Sequence, residues 1–313
     1  VSDMTQKKTR TLSLLAAITA DVIFGMSFMF SKLALEVAAP TVLLAFRFTV
    51  AVAAMTLVIA VNALVGKLRG RPLFAFSLRG KPVYKLVLLG IVQPVAYFIF
   101  ENYGILYTSS AVAGTIIAAV PVCCILMDVL VLHERVTLKQ VLCAVGAIGG
   151  VALISVGGAM MVSALGMLFL VLTMLSDTLY YGISHDAAKR FTPFEMTYVM
   201  FTVGMVVFIP VALLHAGGLQ SPMITAPLHS GGFWLAVLYL GLLSSVLAYG
   251  LLNFANSHLT VSETSLFSNV TTVVSVLAGV VLLKEPFSVW QMLGVAVILV
   301  CVFVANVSGG KES

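Results

Sequence analysis

Apolar residues run through this 313-residue chain in long blocks separated by short polar connections. A helix rising ~1.5 Å per residue needs roughly 20 such residues to cross the hydrocarbon of a bilayer. A backbone surrounded by hydrocarbon must also pair its N–H and C=O groups within its own segment. The blocks therefore predict transmembrane helices at Thr11–Leu35, Thr41–Val65, Val83–Ile105, Ser109–Leu132, Leu138–Val156, Ser163–Ile183, Phe194–His215, Phe233–Leu251, Ser262–Leu283 and Val289–Val307. Almost nothing is left for a soluble domain. Lys7, Lys8 and Arg10 ahead of the first block suggest the start of a signal peptide, but the apolar run outlasts an h-region and contains Asp21, so it reads as a retained helix.

The pattern occurs twice. Shifted by 151 positions, the separation of Gly90 and Gly241, the chain matches itself without a gap at Val95 and Val246, Asn102 and Asn253, Glu134 and Glu285, Gln140 and Gln291, Leu142 and Leu293, and Gly158 and Gly309. Two units follow, residues 1–158 and 159–313, each with five spans. An odd number of spans turns the second unit upside down in the bilayer, and inverted repeats of this kind place a substrate site near the midplane at their interface. The expected fold is all-α, ten transmembrane helices as two inverted five-helix repeats. Thr137 and Ser288 each stand three residues before a glutamine, Gln140 and Gln291, a capping box that opens the fifth and tenth spans. Those spans carry no charge beyond these starts and belong at the periphery, where Gly146 and Gly150 permit close helix contact.

Composition agrees: 61% of residues are apolar and 9% charged, with a mean hydropathy of +1.12, outside the range of a soluble domain. Most Lys and Arg fall on the side of the N-terminus, including the loop from Gly66 to Pro82, whereas the loop from Gly217 to Gly232 has no charge. This bias predicts both termini in the cytoplasm and a plasma (inner) membrane location. It accounts for the net charge of +5 without nucleic acid. Cys123, Cys124, Cys143 and Cys301 all sit within spans, and no CxxC spacing or metal-ligand cluster is present, so neither cofactor nor metal is expected.

With these elements in place the chain resembles the EamA family of the drug/metabolite transporter superfamily. The resemblance rests on Asn102-Tyr103-Gly104-Ile105-Leu106-Tyr107-Thr108-Ser109-Ser110-Ala111, on Pro121, on Leu132-His133-Glu134-Arg135-Val136-Thr137, and on Leu282-Leu283-Lys284-Glu285-Pro286-Phe287-Ser288 with Gly294. Phe24-Gly25 stands where a Trp-Gly pair is frequent, and Thr272 where a proline opposite Pro121 is expected. The likeness implies a carrier whose central cavity is lined by spans one to four and six to nine, acting on amino acids, nucleosides, drugs or other metabolites, commonly outward.

Ionisable groups within spans are costly and mark sites by default. Asp21, mid-depth in the first span, is either a proton or amine site or a partner for Arg47. Arg47 either holds a substrate carboxylate or phosphate or locks neighbouring helices. Asp177 in the sixth span is read like Asp21, and these two are the candidates for proton coupling. Asn102 recurs as Asn253 and reads as interhelical architecture, whereas Glu101 becomes Leu252 in the second copy and reads as a specialised addition. Phe28, Tyr97, Tyr181 and Tyr249 are aromatic candidates for the cavity wall, and Thr115 marks a polar face of the fourth span. Asp128 is assigned to pairing with Arg135, Glu263 to a helix start, and Glu134 and Glu285 to a structural or gate-closing role. No HExxH, GxSxG or Gly-rich phosphate loop assembles a nucleophile with its base, which argues against an enzyme. The reading is a secondary carrier exporting a small polar or amphipathic metabolite such as an amino acid, proton-coupled or uncoupled, as a monomer or homodimer. A drug efflux carrier and a non-transporting scaffold or sensor are the alternatives.

Overall fold

The computed structural model describes residues 2–69, 71, 74–124, 138–157, 163–259 and 268–309, and among these it is helical without a strand. The principal helices are α1 (Ser2–Leu35), α2 (Pro40–Arg69), α3 (Tyr84–Tyr107), α4 (Ser110–Cys124), α5 (Leu138–Gly157), α6 (Ala164–Ala188), α7 (Pro193–Ala216), α8 (Gly231–Asn256), α9 (Ser268–Leu277, continued by Ala278–Leu282) and α10 (Val289–Gly309). Six of them, α1, α2, α3, α6, α7 and α8, are long and apolar enough to cross a membrane, and α4, α5, α9 and α10 contribute shorter apolar stretches. The protein is an integral membrane protein. Asp128, Glu134, Arg135 and Glu263, and the side chain of Gln140, lie outside the described residues.

Local chemistry sets the helix starts. Pro40 begins α2, and Pro193 follows the N-cap Thr192, whose hydroxyl accepts from Glu195 N while the Glu195 carboxylate accepts from Thr192 N. Ser288 and Gln291 exchange the same reciprocal pair of bonds, at 2.7 and 3.2 Å, ahead of α10. These boxes satisfy N–H groups that the helix itself cannot pair. Glu195 also accepts from Ser77 N and from Lys81 Nζ at 2.6 Å, pinning the basic connection after α2 onto the start of α7. Phe74 and Phe76 of that connection pack on Phe194, so the stretch lies across a helix end rather than lying free in the headgroups.

Small residues bring the helices together. A Cβ on Gly90 would lie 2.8 Å from Val203 Cβ, joining α3 to α7, and one on Gly241 would lie 2.9 Å from Val50 Cγ1, joining α8 to α2. The two glycines that recur in sequence thus make corresponding contacts. The α5–α10 pair is closer still, because a Cβ on Gly294 would sit 2.7 Å from Gly150 O and one on Gly150 2.9 Å from Gly294 O. Leu142, Val145, Ile148, Met292 and Leu293 on these two helices are exposed, as suits a lipid-facing pair. Gly241→Val should lower stability by about 1–3 kcal/mol through overpacking, read as an earlier thermal unfolding midpoint in detergent. Gly149→Ala, where a Cβ meets nothing within 4 Å, should leave the midpoint unchanged.

Candidate functional site

A small cavity opens where α1, α3, α4, α6, α8 and α9 converge. Its lining comprises Asp21, Phe24, Ser27 and Phe28 from α1, Gln93, Tyr97, Phe98 and Glu101 from α3, Ile117 from α4, Asp177 and Tyr181 from α6, Tyr249 and Leu252 from α8, and Thr271 from α9. Its volume is about 30 Å³, roughly the room two water molecules need.

Polar groups here are held from several helices. Thr271 donates to both the backbone carbonyl and Oδ1 of Asp21, each at 3.0 Å, which ties α9 to α1, while Oδ2 of the same carboxylate has no partner. Glu101, beside Tyr97, likewise leaves Oε2 unpartnered. Gln93 donates to the Tyr249 hydroxyl, and its Oε1 has no partner. That side chain is delivered by a break in α3: at Gln93 the backbone leaves helical geometry (φ −147, ψ 114), inside a widened π-type segment, Ile91–Ala96, that contains Pro94. Helix α8 also carries a π-type segment, Tyr239–Ala248, without a break in helical geometry, and the 151-residue offset superposes Gln93 on Ser244 and Pro94 on Ser245. Irregular winding within a span is tolerated where protein groups take over the released backbone pairing, and it marks functional sites often.

Ser244 and Ser245 are what Arg47 binds. The guanidinium donates from Nε to Ser245 Oγ at 2.9 Å and from Nη2 to Ser244 Oγ at 3.0 Å, and it lies over the Phe98 ring at 3.9 Å from the centroid. It is 1% exposed. Arg47 pairs with neither Asp21 nor a cavity ligand site here; it joins α2 to the widened part of α8, with Phe98 between it and the cavity. Its charge still reaches Glu101.

Of the residues singled out by sequence, the structure brings Asp21, Phe28, Tyr97, Glu101, Asp177, Tyr181 and Tyr249 together on this cavity. Arg47, Asn102, Thr115 and Asn253 are not in the lining. Asn102 and Thr115 donate to carbonyls of their own helices, Phe98 O and Ala111 O. Asn253 accepts from Tyr180 and Ser184 of α6 and donates to Thr197 of α7, so it fastens three helices together. Gln93, Phe24, Ser27, Phe98, Ile117, Leu252 and Thr271 were not singled out for the site. Gln93 had a readable signal, an amide followed by proline inside an apolar run. Thr271 had none, being one hydroxyl among several in its span.

Among the described residues no group of three or more His, Cys, Asp or Glu is arranged to hold a metal ion. The model of the EamA-like transporter family matches residues 11–156 and again 164–307. The chain belongs to the EamA-like transporter family. This EamA protein is 34% identical to the uncharacterized transporter YcxC of Bacillus subtilis over 98% of this chain and 96% of that one. It is 26% identical to a probable terminal-alkyne amino-acid exporter of Streptantibioticus cattleyicolor over 60% of this chain and 61% of that one. A solved crystal structure shares the fold, with a TM-score of 0.64 at 22% identity over 96% of this chain and 99% of that chain. Family and relatives point to a membrane transporter and not to an enzyme.

Arg47→Lys should destabilise the transporter by about 1–3 kcal/mol, since one ammonium cannot reach both serines and also cover Phe98. A lower thermal unfolding midpoint in detergent, matched by the Ser244→Ala, Ser245→Ala double variant, is the expected result.

Proposed function

We propose that this EamA transporter is a secondary carrier of ten spans in two inverted repeats, residues 1–158 and 159–313, with both termini in the cytoplasm. It exports a small polar or amphipathic metabolite by alternating access. The observation that carries this reading is the cavity itself. Carboxylates, an amide and tyrosines converge from helices of both family matches, with Asp21 and Gln93 at mid-length of the first and third predicted spans and Asp177 at mid-length of α6, and such groups are retained in a membrane when they meet a solute. The export direction is supported by the relative described as an amino-acid exporter.

At about 30 Å³ the cavity is too small for a metabolite, so the helices around it separate to admit one. Cross-helix contacts sit at the two ends of the bundle. At one, Lys81 pairs with Glu195 and Lys85 with Asp186 at 2.5 Å. At the other, Glu285 accepts from Ser110 N, Ser110 Oγ and Ala111 N at 2.8 to 3.0 Å, and Lys32 donates to Ile105 O at 3.3 Å. Breaking one set while the other holds opens the cavity to a single face. Asp21 or Asp177 couples the cycle to protons, because neutralising a carboxylate lowers the cost of carrying it through a closed, dry state.

Flux of a labelled amino-acid panel out of sealed proteoliposomes, with and without an imposed pH gradient, tests the reading. Gradient-stimulated flux is expected in the wild type. Asp21→Asn should remove the stimulation and cut flux about tenfold or more, consistent with losing an intramembrane charge worth a few kcal/mol. Saturable ligand binding with no flux of any bound ligand would sink the carrier reading. Glu285→Gln should raise thiol labelling of a cysteine placed at Ser110, since the clamp on that helix start is weakened.

A further inference from the structure

The cavity's unpartnered atoms share one chemical character. Asp21 Oδ2, Glu101 Oε2 and Gln93 Oε1 are acceptors without donors, on side chains that are 3%, 2% and 2% exposed. A buried acceptor left unpaired costs about 1–3 kcal/mol, more when charged, and buried polar atoms are paired almost everywhere else in proteins. Three such atoms facing one space describe a ligand that brings donors.

Charge narrows the ligand further. Asp21, Glu101 and Asp177 line the cavity, among the described residues no Lys, Arg or His does, and Arg47, on the far side of Phe98, is already bound to two serines. In their ionised forms these three carboxylates against one guanidinium leave negative charge in excess. An entering cation relieves it, a zwitterion leaves it unchanged, and an anion adds to it. The remaining wall is aromatic, with Phe24 set edge-on to Tyr249 at 4.9 Å between ring centroids and Phe28, Phe98 and Tyr181 around them. Aromatic faces hold an organic ammonium and offer little to a hard metal cation, which takes oxygen ligands throughout.

We propose that the cavity is a recognition site for a primary ammonium carried on an apolar or aromatic body. Asp21 Oδ2 and Glu101 Oε2 accept its N–H groups, and monocationic amines are preferred to zwitterionic amino acids. This rests on the carrier reading for its cellular use, but binding can be measured without transport.

Calorimetric titration of the purified full-length protein with 2-phenylethylamine, phenylalanine, phenylacetate and sodium chloride holds the ring constant across the three organic probes while the charge changes. The amine is expected to bind about tenfold or more tightly than phenylalanine or phenylacetate, the difference a charge-assisted contact makes. Asp21→Asn and Glu101→Gln should each weaken the amine by a similar factor, in protein that elutes as a single peak and unfolds near the wild-type midpoint. Should either variant fail to fold, the wild-type ranking of the probes decides alone. Equal or tighter binding of phenylalanine or phenylacetate overturns the proposal, as does displacement of the amine by millimolar sodium, and as does absence of saturable amine binding. Flux of phenylalanine without any preference for the amine would remove this site assignment and leave the carrier standing. Amine binding without flux would do the reverse.

Discussion

Every polar group placed inside this bundle must find its partner within the protein, because hydrocarbon supplies none. The threonines obey by the shortest route. Thr49, Thr108, Thr115, Thr173, Thr178, Thr197 and Thr202 each donate to a carbonyl four residues back, at 2.7 to 2.9 Å. Asn102 does the same with Phe98 O. Longer-range bonds join particular helices, among them Arg47 to the paired serines, Asn253 to α6 and α7, and Thr271 to Asp21. Unpartnered buried atoms do occur elsewhere, at Ser31 Oγ, Asn102 Oδ1 and Asn256 Oδ1, but only in the central cavity do three of them, Asp21 Oδ2, Gln93 Oε1 and Glu101 Oε2, belong to the lining of one space.

The six long helices were legible in the sequence because a membrane helix needs only an apolar block of sufficient length. An internal likeness was legible too, in recurring glycines and capping pairs, and the family model matches the chain twice, at residues 11–156 and 164–307. Boundaries moved by a few residues: α3 runs two residues past Ile105 to Tyr107, and α2 continues to Arg69. What could not be read was direction around the helix. A carboxylate's place in a span gives its depth, but not whether it faces a cavity, a neighbouring helix or its own backbone. That is why Asp21 and Asn102 are equally visible in sequence, yet one lines the cavity and the other turns back onto its own helix. The bond from Arg47 to Ser244 and Ser245 spans nearly two hundred positions, beyond the reach of any local pattern. The break at Gln93-Pro94 was visible as a residue pair, but its consequence, an amide swung into the centre, depends on the backbone geometry it creates.

The two widened segments, in α3 and α8, divide the labour between the repeats. Related by the same offset, one delivers Gln93 to the cavity and the other delivers serines to a cation outside it. Phe98 is the partition between them, with one face toward the cavity and the other under the guanidinium.

Among the described residues, the α5–α10 pair contributes no side chain to the cavity. Its closest approach is backbone to backbone, at Gly150 and Gly294, so the union it makes between the repeats is indifferent to what lines the centre. Joint and lining are therefore separable: a substitution in the cavity can change what that space holds without touching the contact between α5 and α10.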